Sequence, residues 1–222
     1  MIELVRSRLS ISRENNSVAW EEFIERLPKH LELVKESDCH VGSFSQERDQ
    51  LSQWRAYTGG GVGYSIGFNV GMLEGFADDQ KFELVRCVYT AEEHNELSNG
   101  VVTKIEKFLP DNVDTALALC AHHVLRIAPR VKHPSFAEEK EWRITKEVGL
   151  EESAKFRPGK SMLVPYGEFI FKDEHDNTPI TEIVVGPTPH TELSKRSVER
   201  LLLTHDMAHV PVIDSLVPFR NW

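Results

Sequence analysis

The sequence predicts an α+β fold with a mixed, largely antiparallel sheet core and flanking helices. Some segments repeat apolar residues every three to four positions, which is typical of amphipathic helices. Other short segments alternate apolar and polar residues, which is typical of strands. The two kinds do not alternate regularly along the chain, and this disfavours a parallel α/β sheet. The 222 residues suffice for a single domain, in which we expect residues 1–37 to form a helical lead-in and residues 38–220 the core.

Each element is expected from its own pattern. Helices are predicted at about residues 20–34, 47–57, 101–109, 113–125 and 191–205. Strands are predicted at residues 39–44, 62–68, 82–90, 141–148, 161–171, 180–187 and 210–219. Ser45 is the expected N-cap of the second helix, because a serine side chain accepts a hydrogen bond from the N–H groups of a helix start. The glycines at positions 59–61 are expected to end that helix.

Composition and charge exclude several function classes. The net charge is −9, so we expect no bulk electrostatic binding to nucleic acid or to an anionic membrane. The three cysteines are far apart and form no CxxC pair, which disfavours a disulfide framework or a zinc ribbon and favours a reduced, cytoplasmic location. The N-terminal stretch is too polar for a signal peptide, and no apolar run has the length of a membrane span. No set of residues has the spacing of a metal site.

The stretch FSQERDQLSQWRAY, just before the glycine cluster, combines charged, polar and aromatic residues in one predicted helix. On a helical wheel Arg48, Ser52 and Arg55 lie within about 60° of one another, and Tyr57 lies on the other side. Ser45 and the N–H groups of the helix start would favour a bound anion. This pattern predicts a polar binding pocket along one side of the helix. The alternative is a set of surface ion pairs around a helix that is packed on its other side.

A second group of charged residues surrounds a late predicted strand. Arg143 lies in that strand beside a tryptophan, where a charged side chain needs a partner. Glu139 and Glu141 alternate in phase on the strand or its approach, so we expect them to share a face. Two carboxylates on one face near a strand arginine fit either a buried salt network or a catalytic pocket. The residue spacing is the same in both cases, so both interpretations stay open.

Five motifs follow one another over about residues 38–220: SFSQERDQLSQWRAYTGGGVGYSIGF, KHPSFAEEKEWRI, RPGKSMLVPYGEF, VVGPTP and SLVPFR. Together they resemble the bacterial domain-of-unknown-function family 2971. The organisation of that family is similar to the ADP-ribosyltransferase-like fold, in which a polar strand motif precedes a helix and a late strand carries a glutamate. By this fold-level analogy, SFS at residues 43–45 is the nicotinamide-side motif and EKE at residues 139–141 is the glutamate motif.

The resemblance implies an enzyme of the ADP-ribosyl-transferring type that consumes NAD as its substrate. Glu141 or Glu139 would stabilise the oxocarbenium-like charge that forms when the nicotinamide bond breaks. The implied ligand-binding residues have polar or aromatic side chains that suit a pyrophosphate, a nicotinamide or an adenine. They are Ser43, Ser45, Arg48, Arg55, Tyr57 and Arg143.

Two other hypotheses compete with this one. The family usually begins with a segment resembling HYTS, followed later by LND, and neither has a counterpart here. We therefore expect either an N-terminal truncation or a non-catalytic ligand-binding or interaction module with a buried Arg/Glu network. The third hypothesis is a metal-independent hydrolase with Glu139 and Glu141 as an acid–base pair. It is weaker, because residues two apart on a strand are separated by about 6.5–7 Å and any two such acids would look alike.

Overall fold

The computed structural model describes residues 5, 7, 18–35, 39–59, 62–109, 112–148, 155–173, 175 and 177–219. Over these residues the chain is α+β, as predicted, with short mixed and antiparallel sheets. It forms two compact units, each built from two stretches of chain. Unit one comprises Met1–Phe44 and Glu83–Glu168, and unit two comprises Ser45–Phe82 and Phe169–Trp222.

The described secondary structure alternates irregularly between helices and strands. The helices are α1 (Val18–Lys35), α2 (Leu51–Tyr57), α3 (Val70–Asp79), α4 (Ala91–Phe108), α5 (Val113–Ile127) and α6 (Thr191–Thr204). Two 3-10 helices, Ala128–Arg130 and Pro134–Glu139, follow α5. The strands are β1 (Cys39–Ser45), β2 (Tyr64–Phe68), β3 (Glu83–Arg86), β4 (Glu141–Glu147), β5 (Lys155–Pro158), β6 (Leu163–Tyr166), β7 (Ile180–Val185) and β8 (Val212–Asp214). Within the described ranges, no helix combines the length and the hydropathy that a membrane span requires.

The helical core of unit one is formed by the apolar sides of α1, α4 and α5. Phe23 and Leu27 of α1 recur at helical spacing and are buried together with Ile105 of α4. Burying each such side chain contributes about 1.5–3 kcal/mol. The start of α4 is closed by a capping box, in which Thr90 and Glu93 each bond the other's backbone N–H. This box satisfies N–H groups that the first helical turn leaves without an acceptor.

Unit one also contains a three-stranded sheet with the strand order β1–β4–β3. β3 and β4 are antiparallel, with Val85 opposite Arg143. Gly42 of β1 lies so close to β4 that a Cβ atom there would be 2.9 Å from Ile144 Cγ2. Because β4 is the central strand, its first residue, Glu141, is buried between neighbours and not at an open sheet edge.

Unit two is built on a three-stranded sheet with the order β2–β7–β8. β2 is antiparallel and β8 parallel to the central β7. Val185 of β7 and Val212 of β8 pack against Val198 and Leu202 of α6. Asn69 caps α3 by accepting a hydrogen bond from the backbone N–H of Met72.

Several predicted boundaries are wrong, for identifiable reasons. The helix predicted at 47–57 begins only at Leu51, its N-cap is Gln50, and Ser45 is the last residue of β1. The strands predicted at 161–171 and 210–219 shrink to β6 and β8, because the prolines and glycine in those stretches interrupt regular pairing. Helix α3 was not predicted. Its apolar residues span fewer than three turns and include two glycines, which weakens the helical pattern.

Candidate functional site

The candidate site lies in unit one, where the second 3-10 helix leads into β4. We call Lys132, Glu139, Glu141 and Arg143 the Glu141 network. Lys132 is placed by the backbone: its N–H donates to the carbonyl of Val88 at 3.0 Å, beside the end of β3. Glu139 ends the 3-10 helix, and Glu141 and Arg143 are alternate residues of β4, so their side chains share a face.

The Glu141 carboxylate is held by two cations. Lys132 Nζ donates to Glu141 Oε2 at 2.5 Å and also forms an ion pair with Glu139. Arg143 Nε donates to Glu141 Oε1 at 2.9 Å, and its Nη2 donates to Oε2 at 3.3 Å. Glu141 is only 5% exposed. The four formal charges cancel, so the network carries no surplus charge for a ligand.

Neighbouring polar groups complete the hydrogen bonding of the network. The Glu141 side chain also bonds Ser43 of β1. The backbone N–H of Glu141 donates to the Tyr89 hydroxyl at 2.8 Å. Arg143 Nη1 donates to the carbonyl of Pro129 at 2.5 Å. A buried ion pair is tolerated when such bonds satisfy its remaining donors and acceptors, and Ser43 and Pro129 supply them here.

The pKa values of the network follow from these contacts. Burial tends to raise the pKa of the Glu141 carboxyl, but hydrogen bonds from Arg143, Lys132 and Ser43 outweigh burial and hold that pKa at about 2. Burial also tends to lower the pKa of the Lys132 ammonium, while Glu139 and Glu141 raise it above its ordinary value. Both groups therefore keep their charges at neutral pH, and Glu141 is a poor proton donor there.

The positions of the two carboxylates differ from the prediction. Glu139 and Glu141 were expected to alternate in phase on the strand or its approach, but Lys140 between them has a positive φ of 41°. This left-handed residue ends the 3-10 helix and starts β4, so the acids belong to different elements. They meet because both bond Lys132, a residue that the sequence reasoning did not select. The proposed acid–base pair would need a carboxyl that holds a proton near neutral pH, and the low pKa of Glu141 does not favour it.

An aromatic ring lies beside the network. Phe136, in the middle of the second 3-10 helix, has its ring centroid 5.0 Å from Lys132 Nζ. A lysine over a ring at this distance gains a cation–π attraction of about 0.5–1 kcal/mol at a partly exposed site. Phe136 itself remains 47% exposed. The network therefore fixes the base of a loop, residues 132–140, that presents an aromatic side chain to its surroundings.

The other predicted ligand-binding residues lie in unit two. Arg48 Nη1 forms an ion pair with Glu182 at 2.9 Å and is itself exposed. Arg55 and Tyr57 of α2 are both exposed. Ser45 accepts a hydrogen bond from the backbone N–H of Glu47 and does not cap α2. The prediction that Ser45 caps this helix is therefore wrong, because an irregular segment separates the serine from the first turn of α2. Its part in ligand binding stays a prediction.

A polar contact in unit two was not foreseen. Asp49 accepts hydrogen bonds from Trp54 Nε1 at 2.8 Å, from the Ser215 hydroxyl at 2.5 Å and from the backbone N–H of Leu216 at 2.6 Å. Burial tends to raise the pKa of Asp49, and these bonds together lower it. Asp49 thus ties α2 to the chain after β8. Because its oxygens are all engaged, we assign it to structure.

Sequence comparison gives the chain a family context. Residues 53–144 match the model of the protein family of unknown function DUF2971. The resemblance to this family is thereby confirmed over that segment. The DUF2971 segment runs from α2 to β4 and includes all four residues of the Glu141 network. No curated protein and no solved structure matches the chain. Among the described residues, no group of three or more histidine, cysteine, aspartate or glutamate side chains is arranged to hold a metal ion.

Proposed function

We propose that this protein is a non-catalytic interaction module and that the Glu141 network is its structural support. The observation that carries the proposal is that Glu141, at 5% exposure, is bonded to Lys132 at 2.5 Å and to Arg143 at 2.9 Å. A carboxylate in this position orders the loop that precedes β4. Removing it would leave Arg143 without its carboxylate partner and Lys132 paired with Glu139 alone, so we expect the fold to lose stability.

Electrostatic catalysis would need a different arrangement. A catalytic carboxylate stabilises a developing positive charge when it points at the place where that charge forms. In this protein two positive charges already lie against Glu141, and they would oppose a third. An arriving ribosyl cation would also have to displace Lys132 or Arg143 from well-formed ion pairs. The geometry therefore supports a structural function of Glu141 better than a catalytic one.

A second candidate function is ADP-ribosyl transfer from NAD, and one contact favours it. The hydrogen bond between Ser43 and Glu141 joins the SFS motif to the EKE motif, the two segments that the fold-level analogy assigns to the nicotinamide side and the glutamate. In that case Glu141 would act on the ribose, with Arg143 as a positioning residue. This candidate needs Glu141 to exchange its present partners for the substrate.

One substitution distinguishes the two functions. Glu141→Gln keeps the side-chain shape but removes the charge that pairs with Lys132 and Arg143. For an interaction module we expect the free energy of unfolding, measured in urea, to fall by about 3–5 kcal/mol. We also expect no nicotinamide release from NAD by the wild-type protein. The matched control is Glu74→Gln, an exposed glutamate of α3, which should change stability by less than about 0.5 kcal/mol.

A different result would establish the enzyme. Nicotinamide release by the wild-type protein, lost by about 100-fold or more in a Glu141→Gln variant of unchanged stability, would establish the enzyme and reject the module. Wild-type turnover is measured with NAD alone and with added protein acceptors. A Glu139→Gln variant then shows which of the two carboxylates the reaction needs.

A further inference from the structure

The hairpin formed by β5 and β6 is closed by a tight turn. The backbone N–H of Gly159 donates to the carbonyl of Met162 at 2.9 Å, so residues 160 and 161 form a two-residue loop. A Cβ atom on Gly159 would lie 2.8 Å from the carbonyl oxygen of Met162, and glycine is therefore required there. Among the described strands, β5 and β6 pair only with each other. An isolated two-stranded ribbon of this kind has little stability of its own.

One face of this ribbon is apolar. Phe156 lies opposite Pro165, and Pro158 lies opposite Leu163. Directly opposed residues share a face, and so do residues two apart on a strand. On this face Phe156 is 62% exposed and Leu163 is 65% exposed, and Met162, which is 65% exposed, alternates to the other face beside the turn. The ribbon thus presents large apolar side chains that the described part of the chain leaves mostly exposed.

The edges of the ribbon are protected against strand addition. In an antiparallel pair, hydrogen-bonded and non-hydrogen-bonded residue pairs alternate. The Gly159–Met162 bond makes that pair hydrogen-bonded, so the pairs of Pro158 and of Pro165 are non-hydrogen-bonded and their nitrogens point outward. Proline nitrogen carries no hydrogen, and each outer edge therefore lacks a donor that an added strand would need. A partner would have to bind through side chains.

The ribbon is also basic. Residues 155–166 contain Lys155, Arg157 and Lys160 and no acidic residue, in a chain whose net charge is −9. Lys155 forms an ion pair with Glu168 at 2.5 Å. Arg157 is on the face opposite Phe156, and Lys160 is in the turn. Positive charge therefore borders the apolar face at its tip and continues behind it.

We propose that the β5–β6 hairpin is a docking site for an acidic polypeptide segment that carries apolar side chains. The proposal rests on the interaction-module function and names the class of partner. Apolar residues of the partner would cover Phe156 and Leu163, and its carboxylates would reach Arg157 and Lys160. Aromatic residues, methionine and arginine are the residue types enriched at protein interfaces, and the hairpin contains all of them.

The distribution of charge favours a polypeptide over a lipid surface. A bilayer is flat on the scale of a hairpin and can contact the apolar face or the Arg157 face, but not both together. A polypeptide segment can follow the apolar face and turn around the edge. On β5 both faces are available, since every residue of that strand is exposed, whereas on β6 Leu163 is exposed and the other three residues are half-buried. The partner's acidic groups also give the complementarity that fixes orientation at an interface.

The test uses the full chain and fluorescein-labelled peptides, with binding measured by fluorescence anisotropy. The probe is a short peptide of alternating glutamate with leucine or phenylalanine. One comparison peptide has lysine in place of glutamate, and another has serine in place of the apolar residues. We expect the probe to bind about tenfold or more tightly than either comparison peptide. The double variant F156S/L163S should weaken probe binding by about tenfold or more, the size expected when central interface residues are lost.

Two further variants keep the result interpretable. The charge variant R157E/K160E changes only exposed positions and should also lose probe binding, while its thermal melting stays that of the wild type. The control L193S/L203S replaces two leucines of α6 that are 63% and 65% exposed and should bind the probe like the wild type. Equal binding of the probe and the lysine peptide would overturn the proposal, and so would hairpin variants that bind like the control. Stronger binding to vesicles of phosphatidylcholine and phosphatidylserine than to the probe would reject a polypeptide partner.

These outcomes are separable from those of the proposed function. The hairpin variants leave the Glu141 network intact, so a failure of docking does not alter the stability or turnover of the Glu141→Gln variant. Conversely, nicotinamide release that depends on Glu141 would reject the non-catalytic function while the peptide measurements stand by themselves.

Discussion

Lys132 Nζ bonds both Glu139 and Glu141, at 2.5 Å from the latter, and so joins two carboxylates that belong to different elements. Glu141 forms a second ion pair with Arg143, which lies two residues further along β4. Lys132 is therefore the residue that holds the second 3-10 helix against the sheet of unit one. Its side chain is only 19% exposed, so the ion pairs are shielded from solvent more than surface pairs are.

The first prediction concerns this lysine. Lys132→Met keeps the length and apolar stem but removes the charge that pairs with both Glu139 and Glu141. We expect the free energy of unfolding to fall by about 3–5 kcal/mol, measured by urea denaturation. Lys29→Met, at an exposed position of α1, should change it by less than about 0.5 kcal/mol. Equal unfolding midpoints for the two variants would contradict a structural function of the network.

The second prediction is a pH dependence of stability. The pKa of Glu141 is lowered from 4.5 to about 2 in the folded protein, so folding favours the ionised carboxyl. Its contribution to stability is complete above about pH 4.5 and is lost as the pH falls toward 2. The difference in unfolding free energy between the wild type and Glu141→Gln should therefore shrink over that range. A difference that stays constant from pH 6 to pH 2.5, roughly the limits of the linkage, would show that Glu141 keeps an ordinary pKa.

The third prediction concerns the aromatic anchor of unit two. Trp54 is 8% exposed and donates to Asp49, so Trp54→Ala should lower the free energy of unfolding by about 3–5 kcal/mol. Trp54→Phe retains most of the packing but loses the donor, and it should cost about 1–2 kcal/mol. The control is Tyr57→Ala on the same helix, where the side chain is 76% exposed and little change is expected. Thermal or urea unfolding of the three variants measures how strongly each one is destabilised and therefore their order.

The fourth prediction compares two glycines. A Cβ atom at Gly186 would lie 2.9 Å from the carbonyl oxygen of Gly63 and 2.9 Å from Trp54 Cζ3. Gly186→Ala should therefore lower the free energy of unfolding by about 1–3 kcal/mol, the usual cost of overpacking. At Gly100, inside α4, no described atom beyond the adjoining backbone of its own helix lies within 4 Å of the added methyl group, so Gly100→Ala should raise that free energy by about 0.5–1 kcal/mol. Shifts of the same sign in both variants would contradict the packing around Gly186.

The sequence predicted the parts of the structure that depend on local periodicity. The α+β class, the long helices α1 and α5 and the second half of α4 follow from their apolar spacing, and the Glu141–Arg143 pair follows from the two-residue period of β4. Lys132 was missed because its contact depends on a backbone bond to Val88 and on the left-handed Lys140. Neither feature leaves a periodic signal. The Asp49 contacts with Ser215 and Leu216 were missed for a related reason. Asp49 precedes these residues by 166 and 167 positions in the sequence, and only tertiary structure brings them together.

The family resemblance assigns all the predicted ligand-binding residues to one NAD site, and their placement in a single site remains a prediction. Ser43, Glu139, Glu141 and Arg143 come together in unit one, where Ser43 and Arg143 bond Glu141, and both glutamates bond Lys132. Ser45, Arg48, Arg55 and Tyr57 belong to unit two. The sequence pattern indicated that both groups of residues are polar, but it gave no distance between them. Mutual proximity would have to be measured, for example by distances between spin labels at positions 48 and 139.

The division into units also has a consequence for truncation of the protein and for its folding during synthesis. The chain passes from one unit to the other three times, after residues 44, 82 and 168. A fragment covering residues 53–144 would lack β1, which belongs to the sheet of unit one. It would also lack β7 and β8, which belong to the sheet of unit two. During synthesis, unit two cannot complete its sheet until β8 has left the ribosome, because β7 and β8 both come from its second stretch. Expression of the isolated segment would therefore test a chain that lacks strands from both sheets. A chain truncated before β7 would contain β2 without the strand that it pairs with.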